Sequence, residues 1–343
     1  MTLYDEILQQ PQVLQDMYRT NREPIRNVVK NLGPVKSIFV AARGTSDNAA
    51  RYAKYVWGGL NHIPVTLATP SLFSLYQQTP DMENMLVVGI SQSGQSPDLL
   101  AVIEEGNRQG CRTLVITNKA NSPLAQSAQQ VIDIQAGPEK AVAASKSYTA
   151  QLQTIAMLAA AWQEDEKPWR EIEHIPSWGS EVLEQITPVR EAAPRYRYMD
   201  RCVVLGRGYN YATAYEWSLK LKELTYVMAD PYSSADFLHG PIAMVKAGFP
   251  VFAVAPRGAV YQDMLQLLKT LKHDHRVDLF LISDSQEALD VADTAVLLPG
   301  DVPEWLSPIV SVLPAQIFCH QLAQEKGFDP DQPRGLSKVT RTY

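Results

Sequence analysis

Two short stretches of this chain carry side chains that could do chemistry. The first is Ser91-Gln92-Ser93-Gly94-Gln95-Ser96. The apolar run Met85–Ile90 precedes it and reads as a buried strand. Pro97 follows, in the first turn of a helical pattern that runs on through Ile103. Small hydroxyl residues at such a turn gather O–H and backbone N–H donors round one point, at the positive end of a helix, where an anion is favoured. A phosphate with no base or ribose attached is the ligand this pattern suggests; an ordinary serine-rich turn is the alternative. The second stretch holds Glu216, Lys220 and Glu223, which a helix would bring to one face. Such a trio is either a structural ion-pair cluster or a carboxylate base with a cation beside it.

Other candidates have plainer alternatives. His239 stands in the turn-like Asp236-Phe237-Leu238-His239-Gly240-Pro241, and imidazole titrates near neutrality. His273 and His275 flank Asp274 within a charged stretch, which favours a solvated surface over a metal pair. Ser145 and Lys146 read as a helix N-cap and a surface charge. Lys338, near the end of the chain, would be solvent-exposed by default.

The elements that position these residues form a duplicated unit. At 343 residues the chain exceeds a usual single domain. Ser37–Gly44 is echoed by Cys202–Gly208, Met85–Gly94 by Phe249–Gly258, Thr113–Asn118 by Leu279–Asp284, and Val131–Ile134 by Ala295–Leu298, at a common offset of about 165 residues. In each copy short apolar strands alternate with helical patterns, Asp47–Tyr55 and Leu99–Gly106 in the first, Tyr211–Val227 and Tyr261–Lys272 in the second. The expected fold is α/β, two tandem doubly wound, flavodoxin-like parallel sheets flanked by helices, with ligands at the carboxyl ends of the strands. The expected organisation is an N-terminal helical segment (1–33), a first domain (34–165), a connector with a helix of its own (166–200), a second domain (201–330) and a tail (331–343).

Composition narrows the function. A formal charge of −6 argues against nucleic acid and anionic membrane as partners. No apolar run reaches the roughly 20 residues that span a bilayer. The start, Met1–Glu6, lacks the basic-then-apolar pattern of a signal peptide. Cys111, Cys202 and Cys319 are scattered, with no Cys-x-x-Cys pair, so neither disulfides nor a zinc site is suggested. A soluble, cytoplasmic protein is expected.

The chain resembles the sugar isomerase (SIS) fold, in the arrangement of the isomerase half of the glutamine:fructose-6-phosphate amidotransferases. The resemblance is carried by Gly44-Thr45-Ser46, Ser91-Gln92-Ser93-Gly94, Glu139 with Val142-Ala143-Ala144-Ser145-Lys146, Leu219-Lys220-Leu221-Lys222-Glu223, His239-Gly240-Pro241 and Pro333-Arg334-Gly335-Leu336-Ser337-Lys338, and by the lead-in Glu6–Pro11. It implies that Thr45, Ser46, Ser91, Gln92, Ser93 and Ser96 hold the sugar and its phosphate, and that backbone at Val142 and Ala143 meets the sugar hydroxyls. Glu223 would be the base that moves a proton between C1 and C2, and Lys220 the charge beside the developing oxyanion. His239 would open the pyranose ring from the neighbouring subunit of an obligate homodimer. Lys338, on a tail that closes over the ligand, would oppose the open-chain carbonyl and form a Schiff base. No metal or other cofactor is required. The family's glutaminase domain begins with a nucleophilic Cys after Met; here Thr2 follows Met1 and no Cys precedes Cys111. The expected activity is therefore a glucosamine-6-phosphate deaminase-type isomerase without glutaminase activity, yielding fructose 6-phosphate and ammonia or running in reverse. A fructosamine-6-phosphate deglycase is the rival within the class, and Leu238, where the family has Lys, bears on the substrate. A phosphosugar-binding regulator is the rival outside it, disfavoured by Glu223, His239 and Lys338 occurring together and by the lack of a basic helical module.

Overall fold

A computed structural model describes residues 1–163 and 165–339. The first copy of the repeat supplies strands β1 (Ile38–Ala42), β2 (Val65–Leu67), β3 (Leu86–Ser91), β4 (Arg112–Thr117) and β5 (Gln130–Asp133). They pair in parallel in the order β2-β1-β3-β4-β5. The second copy supplies β6 (Arg201–Gly206), β7 (Met228–Ser233), β8 (Pro250–Val254), β9 (Asp278–Ser283) and β10 (Thr294–Leu297). Its order, β10-β9-β8-β6-β7, repeats the first from the other end, and all pairs are again parallel. The duplicated α/β architecture is thus present twice over.

Each sheet is apolar on both faces because helices cover both. β1 and β3 are buried along their whole length. Two strands carry no clear sequence signal, and both lie at sheet edges. β2 has three residues, and β7, Met-Ala-Asp-Pro-Tyr-Ser, contains a proline that only an edge strand accommodates. The connector holds more than the single helix expected, with Lys167–Glu173, Ile175–Glu184, Thr187–Ala192 and a 3₁₀ turn at Ala193–Tyr196.

The chain divides into two compact units. One comprises Gln12–Glu139, Lys146–Glu173 and the tail from Ser337; it contains β1–β5. The other comprises Met1–Pro11, Lys140–Ser145 and His174–Leu336, with β6–β10. In the first, the helix Lys146–Ala161 is buried all round, and Trp57 on the helix Thr45–Leu60 donates its indole N–H to the Ile155 carbonyl at 3.0 Å. The helix Ser307–Glu325 plays the same part in the second unit. There Trp217, on the helix Tyr211–Thr225, packs edge-on against Phe252, Phe280 and Phe318, which fixes the rotation of that helix on its sheet. Among the described residues no helix is long and apolar enough to cross a membrane.

Candidate active site

In the first unit, the strand order reverses between β1 and β3, which opens a crevice at their carboxyl ends. The two hydroxyl-bearing turns leave from these ends. Gly44, with φ +55°, turns the chain out of β1, and Thr45 and Ser46 open the helix Thr45–Leu60. Ser46 is buried and its Oγ accepts from Gln151 Nε2 at 3.0 Å. After β3, Ser91 Oγ accepts the Gly94 amide at 3.0 Å and Ser93 Oγ the Gln95 amide at 3.4 Å. Both hydroxyls serve as acceptors here and so keep their protons for donation to a ligand. The Gln92 carbonyl accepts the Asn118 amide at 3.3 Å and ties the turn to the end of β4. Ser96 is the N-cap of the helix Pro97–Arg108 yet makes no side-chain cap bond, and Pro97 occupies the first helical position as expected. Thr45, Ser46, Ser91, Gln92, Ser93 and Ser96 therefore share one unit and lie at the carboxyl ends of the adjacent strands β1 and β3.

A charge pair lies beside these turns that the sequence reading did not single out. Arg43, the last residue before Gly44, donates from Nε to Asp98 Oδ2 at 2.7 Å. The Asp98 side chain is wholly buried in the first turn of the helix Pro97–Arg108, whereas that of Arg43 is 44 % exposed. The pair ties the end of β1 to the start of that helix, joining the two hydroxyl turns. A signal was present in the repeat: Arg207 and Asp263 stand at the matching places of the second copy and also pair, at 3.1 Å.

The second copy's turn after β8 lacks hydroxyls and has filled its own anion cradle. The Ala259 amide donates to Glu304 Oε2 at 2.8 Å and the Arg257 amide to Asp284 Oδ1 at 2.6 Å. A side chain at Gly258 would meet Glu304 Cδ at 2.1 Å. Internal carboxylates occupy the amides that an external anion would need, so the duplicated fold leaves the hydroxyl turn of the first copy as its phosphate candidate.

The second unit carries the acid–base candidates. Glu216, Lys220 and Glu223 lie on one face of the helix Tyr211–Thr225, as their spacing predicts. Lys220 Nζ pairs with Glu223 Oε2 and stands 3.4 Å from Glu216 Oε1. Lys220 and Glu216 are buried, whereas the Glu223 side chain is 23 % exposed. Burial alone would push the Lys220 ammonium down, but the charges of Glu216 and Glu223 outweigh it and hold the group above the ordinary lysine value. Glu216 thus compensates a buried cation from within the core, and Glu223 remains the member of the trio that reaches solvent.

Val142 and Ala143 belong to this same unit. Their loop is anchored from the lead-in: the carboxylate of buried Glu6 accepts the amides of Lys140 at 2.6 Å and Ala141 at 3.4 Å. His239 follows the helix Ser234–Leu238 and is exposed, beside the exposed Leu238.

Lys338 falls in the first unit and is not a free surface amine. Its Nζ donates to Glu139 Oε2 at 2.7 Å, and the buried Glu139 carboxylate also accepts the Ser147 amide at 3.0 Å and hydroxyl at 2.7 Å. A Schiff base at Lys338 would withdraw its nitrogen from this pair. Lys146, for which a surface charge was the plainer alternative, is buried at 2 % exposure at the start of the helix Lys146–Ala161, because that helix runs through the core. The tail expected over residues 331–343 is described only as far as Val339; Thr340–Tyr343 lie outside the described residues, as does Glu164. Among the described residues no three His, Cys, Asp or Glu side chains gather as a metal site.

A family model described as the SIS domain matches residues 32–161 and again 196–324. The glutamine–fructose-6-phosphate aminotransferase (isomerizing) of Thermococcus kodakarensis is 34 % identical over 343 residues, covering 97 % of this chain and 56 % of that protein. Its counterpart in Methanothermobacter thermautotrophicus is 33 % identical over 334 residues, with the same coverage. The chain thus spans little more than half the length of these relatives. Among solved structures, the C-terminal domain of glucosamine-fructose-6-phosphate aminotransferase from Francisella tularensis matches with a TM-score of 0.85 and 25 % identity, covering 96 % of this chain and 98 % of that one.

Proposed function

The chain belongs to the SIS domain family, and from that premise we propose that it is an aldose–ketose isomerase of phosphorylated amino sugars. Its substrate is a hexosamine 6-phosphate, most simply glucosamine 6-phosphate, and its products are fructose 6-phosphate and ammonia; the ammonia-dependent reverse uses the same residues. The observation that carries this reading is the Lys220–Glu223 pair, a carboxylate at the rim of the core backed by a buried cation, in a chain that also bears a hydroxyl turn suited to phosphate.

The hydroxyls of Thr45, Ser46, Ser91, Ser93 and Ser96, with Gln92, bind the phosphate and sugar, and backbone at Val142 and Ala143 meets the sugar hydroxyls. His239, reaching a partner subunit's site in a homodimer, protonates the ring oxygen as the pyranose opens. Glu223 takes the C2 proton and returns it to C1, while Lys220 offsets the charge that develops on the C1 oxygen. The resulting C2 imine takes up water and releases ammonia, leaving the ketone. Lys338 opposes the open-chain carbonyl, and in the reverse direction forms an imine with the ketose, losing water.

The test is ammonia release from a panel of hexosamine and fructosamine 6-phosphates. Turnover of glucosamine 6-phosphate with formation of fructose 6-phosphate is expected. Cleavage of fructosamine phosphates alone would make the protein a deglycase, and tight binding of a phosphosugar without turnover would make it a sensor.

A further inference from the structure

Tyr226 follows directly on the helix that bears Lys220 and Glu223, and caps it in the left-handed conformation, with φ +58° and ψ +20°. Glycine takes that place at many helix ends because it meets no Cβ penalty there. Here a tyrosine bears the penalty, and its half-buried side chain makes three contacts with the C-terminal segment. The Phe328 ring meets it edge-on at 4.8 Å between centroids. The Arg334 guanidinium lies 4.2 Å from the ring centre on a cation–π contact. The Tyr226 hydroxyl accepts the Arg334 amide at 2.7 Å. Both partners belong to the segment that follows the helix Ser307–Glu325 and has no regular structure of its own. That segment has another anchor at Asp331, whose Oδ1 accepts the Leu3 amide at 2.5 Å. Four residues beyond Arg334 along the chain comes Lys338. An exposed terminal segment stays ordered only as far as its anchors hold it.

We infer that Tyr226 docks the C-terminal segment onto the end of the helix bearing Lys220 and Glu223, and is thereby a positioning residue for Lys338. The inference rests on the role proposed above for that lysine. It ties the helix of Lys220 and Glu223 and the C-terminal segment to one side chain, so a segment that leaves its seat also releases the helix end.

Two variants separate the contacts. Tyr226→Phe keeps both ring contacts and loses the hydrogen bond, whereas Tyr226→Ala loses all three at a similar backbone cost. Trypsin cleavage after Arg334, followed by mass spectrometry, reads the docking directly and needs no substrate. It should accelerate about tenfold in Tyr226→Ala and about threefold or less in Tyr226→Phe. In the same variants the affinity for inorganic phosphate should stay unchanged. The kcat for ammonia release should fall about tenfold in Tyr226→Ala and be largely kept in Tyr226→Phe. Equal cleavage rates in all three proteins would overturn the inference. So would loss of phosphate affinity and thermal stability in proportion to kcat, which would mark Tyr226 as generally structural. If the parent protein turned over no aminosugar phosphate while the cleavage series still held, the docking would stand and the proposed reaction would fall.

Discussion

Replacing Gly94 with alanine tests whether the hydroxyl turn is built as described. Gly94 has φ +61°, and a Cβ there would sit 2.0 Å from Ser122 Oγ, 2.5 Å from Ser122 Cβ and 3.4 Å from Thr117 Oγ1. Rotating Ser122 does not relieve this, because its Cβ stays in place and its Oγ caps the helix Pro123–Ser127 by accepting the Ala125 amide. The left-handed backbone costs an alanine about 1–2 kcal/mol. Overpacking adds about 1–3 kcal/mol, for a total of about 2–5 kcal/mol. The turn can escape only by moving, which strains the bonds from the Gly94 amide to Ser91 Oγ and from the Leu124 amide to the Gly94 carbonyl. Urea unfolding should show this loss as a lower midpoint at constant slope, and calorimetric titration with inorganic phosphate should show affinity reduced about tenfold or more. Adding Ser122→Gly should restore the steric share and leave the backbone share, since glycine in place of a serine N-cap costs only a few tenths of a kcal/mol. A Gly94→Ala protein within about 0.5 kcal/mol of its parent, or no recovery from Ser122→Gly, would refute the packing argument.

Ser93→Ala should weaken sugar-phosphate binding by about 1–3 kcal/mol, the cost of a charge-assisted hydrogen bond; calorimetry finding equal affinity for phosphorylated and free sugar would count against the turn as a phosphate site. Glu223→Gln should abolish ammonia release while preserving the circular dichroism spectrum and phosphate affinity, because Glu216 still faces Lys220; wild-type turnover would reduce the trio to a structural cluster. Burial, reinforced by Arg190 and opposed by Asp331, pushes the His320 imidazole down, so the folded protein disfavours its protonation. Its contribution is intact above the unfolded value of about 6.5 and is lost as pH falls below it; chemical denaturation should show His320→Gln flattening that acid-side decline, and an unchanged slope would refute the assignment. Mixing Glu223→Gln with His239→Ala under proven subunit exchange should recover about a quarter of wild-type activity, since half of the dimers are mixed and each holds one intact site; no recovery would mean that His239 serves its own chain's site or that the two residues do not share one.

The fold was legible because the duplication repeats strand, turn and helix at one offset, and because strands covered on both faces read as continuous apolar runs. β2 and β7 escaped since short or proline-bearing edge strands bury too little to leave a pattern. Of the candidate site, the Glu216–Lys220–Glu223 face follows from helical spacing alone, and the hydroxyl turn from its place between an apolar strand and Pro97. Lys146 misled because a lysine at a helix start is usually solvated, and only the packing of the whole helix sends this one inward.

The architecture, the order of the chemical residues and the helix face that carries the charges are set by local periodicity and by neighbours a few positions apart, and so can be read along the chain. Which charges meet depends instead on how distant segments pack. Asp98 secures Arg43 at the phosphate candidate, Glu304 fills the cradle of the second copy, Glu6 holds the loop of Val142, and Glu139 pairs with Lys338. Each of these carboxylates finds its partner through chain reversals that bring distant residues within hydrogen-bond reach. The energy of each contact depends on burial, which no local spacing encodes.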